Sequence, residues 1–106
     1  MNLCGNIAWL EPWYCLCTEG SSFEQELYKE LGKNHVLNNK KVSVIGRRYD
    51  RDDFLFEIND IEFKLAVVHL TFSGKDESGT YPKTKLYKDL DDWINRCMLP
   101  DHTEFE

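Results

Sequence analysis

A chain of 106 residues, 42% hydrophobic and 13% aromatic, can bury one core but not two, and its composition is not that of a disordered segment. Its net charge of −6 argues against general attraction to nucleic acid or to an anionic membrane. No basic stretch followed by an apolar core opens the chain and no apolar run approaches membrane-spanning length, so a cytoplasmic location is expected, with Cys4, Cys15, Cys17 and Cys97 as thiols.

Residues 1–17 are aromatic but irregular, with Trp9, Trp13 and Tyr14 around Pro12, and read as an extended segment or edge strand packed onto the domain. "SSFEQELYKELG" predicts a helix: Ser21 and Glu24 have the spacing of a capping box, Phe23, Leu27 and Leu31 recur every four residues, and Gly32 can close the end. "KKVSVIGRRY" alternates as a strand, with Gly46 as a bulge. After the turn "DRDD", "FLFEI" places Phe54, Phe56 and Ile58 on one face of a second strand. Asn59-Asp60 suits a two-residue hairpin turn into a third strand, "IEFKLAVVHLT", which is apolar on both faces from Leu65 to Leu70 except at His69 and so reads as the central strand. A loop through Gly74, Gly79 and Pro82 leads to "DLDDWINRCM", a helix with Asp89 as N-cap, a buried stripe of Leu90, Trp93, Ile94, Cys97 and Met98, and Pro100 as its stop. The expectation is a single α+β domain over residues 1–106. It is a two-layer sandwich in which a three- to four-stranded antiparallel meander carries two helices on one face, in the order helix–strand–strand–strand–helix.

The charge is unevenly spread. Residues 33–51 balance to +5 while residues 1–32, 52–75 and 76–106 sum to −4, −3 and −4. Arg47 and Arg48 on the basic strand could hold an anion, or they could guard a sheet edge from pairing with other chains, which is the commoner use. Asp50, Asp52 and Asp53 could offer hard oxygens to a cation, but they lack EF-hand spacing, arginines flank them, and turns collect aspartates for their own reasons. Cys15-x-Cys17 lacks zinc-pair spacing, and no metal site or cofactor is expected. His69 alternates with Leu65 and Val67 and could serve as a general base, although a histidine there is more often a satisfied core residue. Thr71 and Ser73 follow it on the way into the loop, and His35 and His102 lie in polar connectors. The nucleophile elbow, the P-loop and the dinucleotide glycine pattern are all absent.

The stretches "ELYKELGKNHVL", "RRYDRDDFLFEI", "LAVVHLTFSGKDES", "YPKTKLYKDLDDWINRCM" and "PDH" together resemble a family of small uncharacterised bacterial proteins, over most of the chain from Trp13 to Phe105. This chain has Phe72 where that family has tryptophan and Asp89 where it has a serine-like cap, and neither change alters the expected fold. The resemblance brings no established activity with it. It marks His35, Asp50, Asp52, Asp53, His69, Thr71, Ser73 and Trp93 as positions to test.

Two functional expectations follow. The first is a non-enzymatic protein-interaction module, such as an immunity or anti-toxin partner, whose acidic surface would speed association with a basic protein. The alternative is a small enzyme or ligand-binding domain with a site near His69 and the Asp50–Asp53 turn. Meander counting brings that turn and His69 to the same end of the sheet, with Arg47, Arg48, Thr71 and Ser73 as candidate ligand contacts. Composition does not define an oligomeric state.

Overall fold

The structure is a computed structural model that describes residues 7–16, 21–31, 35–71 and 83–105. Cys4, Cys17, Gly32, Ser73 and the predicted loop through Gly74, Gly79 and Pro82 lie outside the described residues. The elements are β1 (Trp13–Cys15), α1 (Ser21–Glu30), β2 (Val42–Arg48), β3 (Asp53–Ile58), β4 (Leu65–His69), β5 (Thr84–Tyr87), α2 (Leu90–Trp93), a π-helical turn (Ile94–Met98) and α3 (Leu99–Phe105). The fold is α+β. Among the described residues five strands form one sheet of order β1-β2-β3-β4-β5, and every neighbouring pair is antiparallel.

Three features of the expected architecture need correction. The sheet has five strands rather than three or four, because β1 and β5 extend it on either side. The helices cover opposite faces, giving three layers instead of two. Phe54, Phe56 and Ile58 pack with Leu27 of α1 and Leu31 just beyond it, whereas Leu55 and Leu65 pack on the other face with Trp93, Cys97 and Met98. The cause is visible in β3, where three successive residues, Phe54, Leu55 and Phe56, are fully buried. Side chains alternate across a strand, so such a run buries only if both faces are covered. β3 is also the middle strand, and β4, expected to be central, is second from the edge.

β1 pairs with only the last three residues of β2, Gly46 to Arg48. The N–H groups of Val42 and Val44, beyond its reach, donate instead to Tyr28 Oη (3.1 Å) and Glu24 Oε2 (2.8 Å) from α1. The helix thereby closes the open edge of β2. The register shifts between Val44 and Gly46, as a bulge there predicts. A Cβ on Gly46 would lie 2.7 Å from Trp9 Cζ3 and 2.8 Å from the Tyr14 carbonyl oxygen, so only glycine fits beneath the indole.

The β3–β4 connection is longer than a two-residue turn. Asp60 Oδ2 accepts from the N–H groups of Glu62 and Phe63 (both 3.0 Å), and β4 begins at Leu65. At the C-terminal end, Asp89 caps α2 by accepting from Asp92 N (2.8 Å). Trp93, Cys97 and Met98 form the fully buried part of the expected stripe. Pro100 does not end the helix. The π turn precedes it, with Leu99 N–H donating to the Ile94 carbonyl, and this wider turn re-registers the ladder before a residue that has no N–H to donate and whose ring crowds the preceding turn. Among the described residues no helix is long and apolar enough to cross a membrane.

Candidate functional site

Asp53 opens β3 and His69 closes β4, and the antiparallel register sets them directly opposite each other. His69 Nδ1 lies 2.7 Å from Asp53 Oδ1. An ionised carboxylate can only accept, so Nδ1 carries the hydrogen and donates, and in the neutral form of the ring the lone pair is then on Nε2. The His69 side chain is 51% exposed. It is therefore not the core histidine that strand alternation suggested, but a ring held by a carboxylate at the surface.

His69 and Asp53 stand at one side of a cleft of about 620 Å³ between the end of the sheet and the C-terminal helix. The lining includes five cations, Arg48, Arg51, Lys83, Lys85 and Arg96, against two carboxylates, Asp53 and Asp101. Val67 and Tyr87 contribute apolar wall. In a protein of net charge −6 this is a local reversal of sign.

The five cations are not equivalent. Arg48 donates to both oxygens of Asp50 (each 2.9 Å) and lies 3.3 Å from Asp101 Oδ2. Burial pulls its guanidinium pKa down, but the Asp50 hydrogen bond and the Asp101 charge more than offset this, and the net shift is upward. The same Arg48 hydrogen bond holds Asp50 below the usual carboxylate range. Arg96 pairs with Asp92 at 3.0 Å and lies over the Tyr87 ring. Arg51 and Lys85 form no salt bridge among the described residues.

The remaining expected site residues fall elsewhere. Arg47 points to the α1 face, over the Phe54 ring at 4.5 Å, and takes Asp52 at 3.2 Å, so neither reaches the cleft. The aspartate triple thus divides three ways, and no group of three His, Cys, Asp or Glu among the described residues is arranged to hold a metal ion. His35 is buried on the α1 side. Its Nδ1 accepts from Leu37 N (3.0 Å), which leaves Nε2 to donate to Thr84 Oγ1 (3.1 Å), a structural role. Thr71 donates its backbone N–H to the buried Glu30 carboxylate (3.0 Å). His102 Nδ1 donates to the Glu11 carbonyl (2.8 Å). Trp93 is wholly buried, edge-on to Trp9 and Trp13.

Lys83, Lys85 and Arg96 were not among the residues singled out from sequence. The signal that could have found them is the alternation Lys83-Thr84-Lys85 in "KTKLY", which places both lysines on one face once the segment is known to be a strand. Of the cysteines, Cys15 is disulfide-bonded, correcting the reading of all four as thiols, and Cys97 is a free thiol in the cleft wall. Burial pushes that thiol up to about 12, with the Asp101 charge adding to the effect. It is protonated at neutral pH and offers no nucleophile beside His69. Comparison with known proteins returns no match to a family model, to a curated protein or to a solved structure.

Proposed function

We propose that the protein binds a small anionic ligand in the cleft between the His69 end of the sheet and the C-terminal helix. The observation that carries this reading is the cleft's composition: five cations and a carboxylate-held histidine lining one concavity of an otherwise acidic protein. Clefts in which one sign of charge predominates concentrate the opposite ion, and a mixed apolar and cationic wall suits a ligand with an anionic end and an apolar body. Titration calorimetry at low ionic strength with inorganic phosphate and with citrate tests it. At least one should bind saturably at one site, and Lys85→Glu should abolish binding without moving the unfolding midpoint. Absence of heat from both anions would overturn the proposal.

A second reading, the interaction module of immunity or anti-toxin type, is favoured by a different observation. Tyr14, Tyr49 and Phe105 are exposed and touch one another in sequence across β1, the turn after β2 and α3, with ring centroids 6.2 and 5.5 Å apart. Exposed Glu11 and Glu104 lie on the same segments. Aromatic anchors rimmed by acid suit a basic protein partner. Tyr49→Ala should weaken capture of such a partner at least tenfold, and equal capture by both forms would remove this support. The resemblance to small bacterial proteins fits either reading. A cytoplasmic location remains part of the proposal, and the disulfide at Cys15 weighs against it, since disulfides persist chiefly in oxidising compartments.

A further inference from the structure

From the geometry around His69 we infer that the ligand is a phosphate monoester dianion and that its binding adds one proton to His69; this rests on the anion-binding reading above. Because Asp53 holds the Nδ1 hydrogen at 2.7 Å, the neutral ring can show an oxyanion only the Nε2 lone pair, and a lone pair repels it. An anion seated at His69 therefore requires Nε2 to gain a hydrogen from solvent. The ring then becomes a cation between Asp53 and the ligand, donating to both.

The charged groups facing this position come from every element around the cleft: Arg48 on β2, Asp53 on β3, Lys85 on β5 with Lys83 just before it, Arg51 in the β2–β3 turn, and Arg96 and Asp101 on the C-terminal helix. Donors thus converge on the cleft from the turn, from β4 and from β5. A carboxylate brings one charge spread over two oxygens to these donors, whereas a phosphate monoester brings three strong acceptor oxygens and up to two charges. The Val67 and Tyr87 wall beside the cations provides for the organic part of the ester.

The test compares phenyl phosphate with phenylacetate, which share an aromatic body and differ in the anion. Calorimetric titration at pH 8, where a phosphate monoester is already a dianion, is run in two buffers of different protonation enthalpy. Any net proton uptake then belongs to the protein. The expected result is at least tenfold tighter binding of phenyl phosphate, net proton uptake on binding at pH 8, and loss of that uptake in His69→Gln. The half-exposed position of the ring predicts an unchanged unfolding midpoint for His69→Gln, and circular dichroism of the variant checks it. Equal binding of the two ligands, or phosphate binding with no proton uptake, would overturn this inference and leave the anion-binding reading standing. Failure of every anion to bind, inorganic phosphate and citrate included, would overturn both.

Discussion

Asp101 Oδ2 accepts from the Trp13 indole N–H at 2.9 Å, receives the Cys97 thiol at 3.5 Å and sits 3.3 Å from Arg48. One carboxylate oxygen therefore joins β1, β2 and the C-terminal helix, and Arg48 passes the connection on to Asp50. The Arg48 side chain is 9% exposed, and its planar fork meets Asp50 through two parallel hydrogen bonds. A lysine keeps the charge but cannot reproduce the fork. Arg48→Lys should cost about 1–2 kcal/mol, below the 3–5 kcal/mol of a fully buried broken pair because both aspartates are partly solvated. Urea unfolding measures this, and a midpoint equal to wild type would contradict it. Cys97, with its thiol pushed up to about 12, should resist an aromatic disulfide reagent at neutral pH in the native protein and react once the fold is opened by denaturant. Prompt reaction of the native thiol would show that the wall of the cleft opens.

At the scale of elements, the bulge in β2 makes the sharpest claim. Gly46→Ala drives a methyl group against the Trp9 ring and against the Tyr14 carbonyl, which belongs to the paired backbone and cannot rotate away. It should destabilise by about 1–3 kcal/mol, the usual range for overpacking, and a thermal melt reads it. The elements easiest to read from sequence were those with strong periodicity. α1 and the Leu90 to Met98 stripe follow the helical repeat, and Phe54, Phe56 and Ile58 share a face as their alternation requires. β5 escaped because it has four residues, of which only Tyr87 is fully buried, so its pattern is that of a loop with one aromatic. The β3–β4 turn was misread because Asp60, which tolerates tight turns, spends its side chain on two N–H groups further along and so builds a wider one. Pro100 was read as a stop, although a preceding π turn can absorb it and leaves no mark in the residue pattern.

At the scale of the molecule, the layer count depends on a signal that was present but incomplete. The apolar run from Leu65 implied cover on both sides of β4, but it is the burial of consecutive residues, Leu65 with Ala66 and Phe54 through Phe56, that requires a layer on each face. The candidate site divides in the same way. The approach of His69 to the Asp50–Asp53 turn follows from meander counting, while the choice of Asp53 over Asp50 and Asp52 depends on which arginine each meets, a matter of side-chain direction past a bulge. The response to pH is also a whole-molecule property. The Lys40 hydrogen bond, with the N–H groups of Phe63 and Glu62, holds Asp60 at about 2, and Arg48 holds Asp50 below its usual range. A carboxylate whose folded value is depressed adds stability above its unfolded value, about 4, and loses it as pH falls through the folded one. Acid unfolding should therefore develop between about pH 4 and pH 2. Asp60→Asn should show a shallower loss in that window by circular dichroism, and an unchanged acid profile would contradict the assignment. Tyr49 acts with opposite sign. The hydrogen bond to Glu11 is the main cause that raises it to about 12, so its contribution is complete below the unfolded value, about 10, and fades as pH rises to about 12.

The clasp between β1 and α3, made by Trp13 with Asp101 and by the Glu11 carbonyl with His102, spans nearly the whole described chain. Synthesis proceeds from the N-terminus, so α1 and the β2–β3–β4 meander leave the ribosome while the layer that must cover Leu55 and Leu65 is still unmade. A nascent chain arrested before Leu90 should hold its α1-side core and expose the other face, and the cleft beside His69 then closes only after the Leu90 to Phe105 segment has docked.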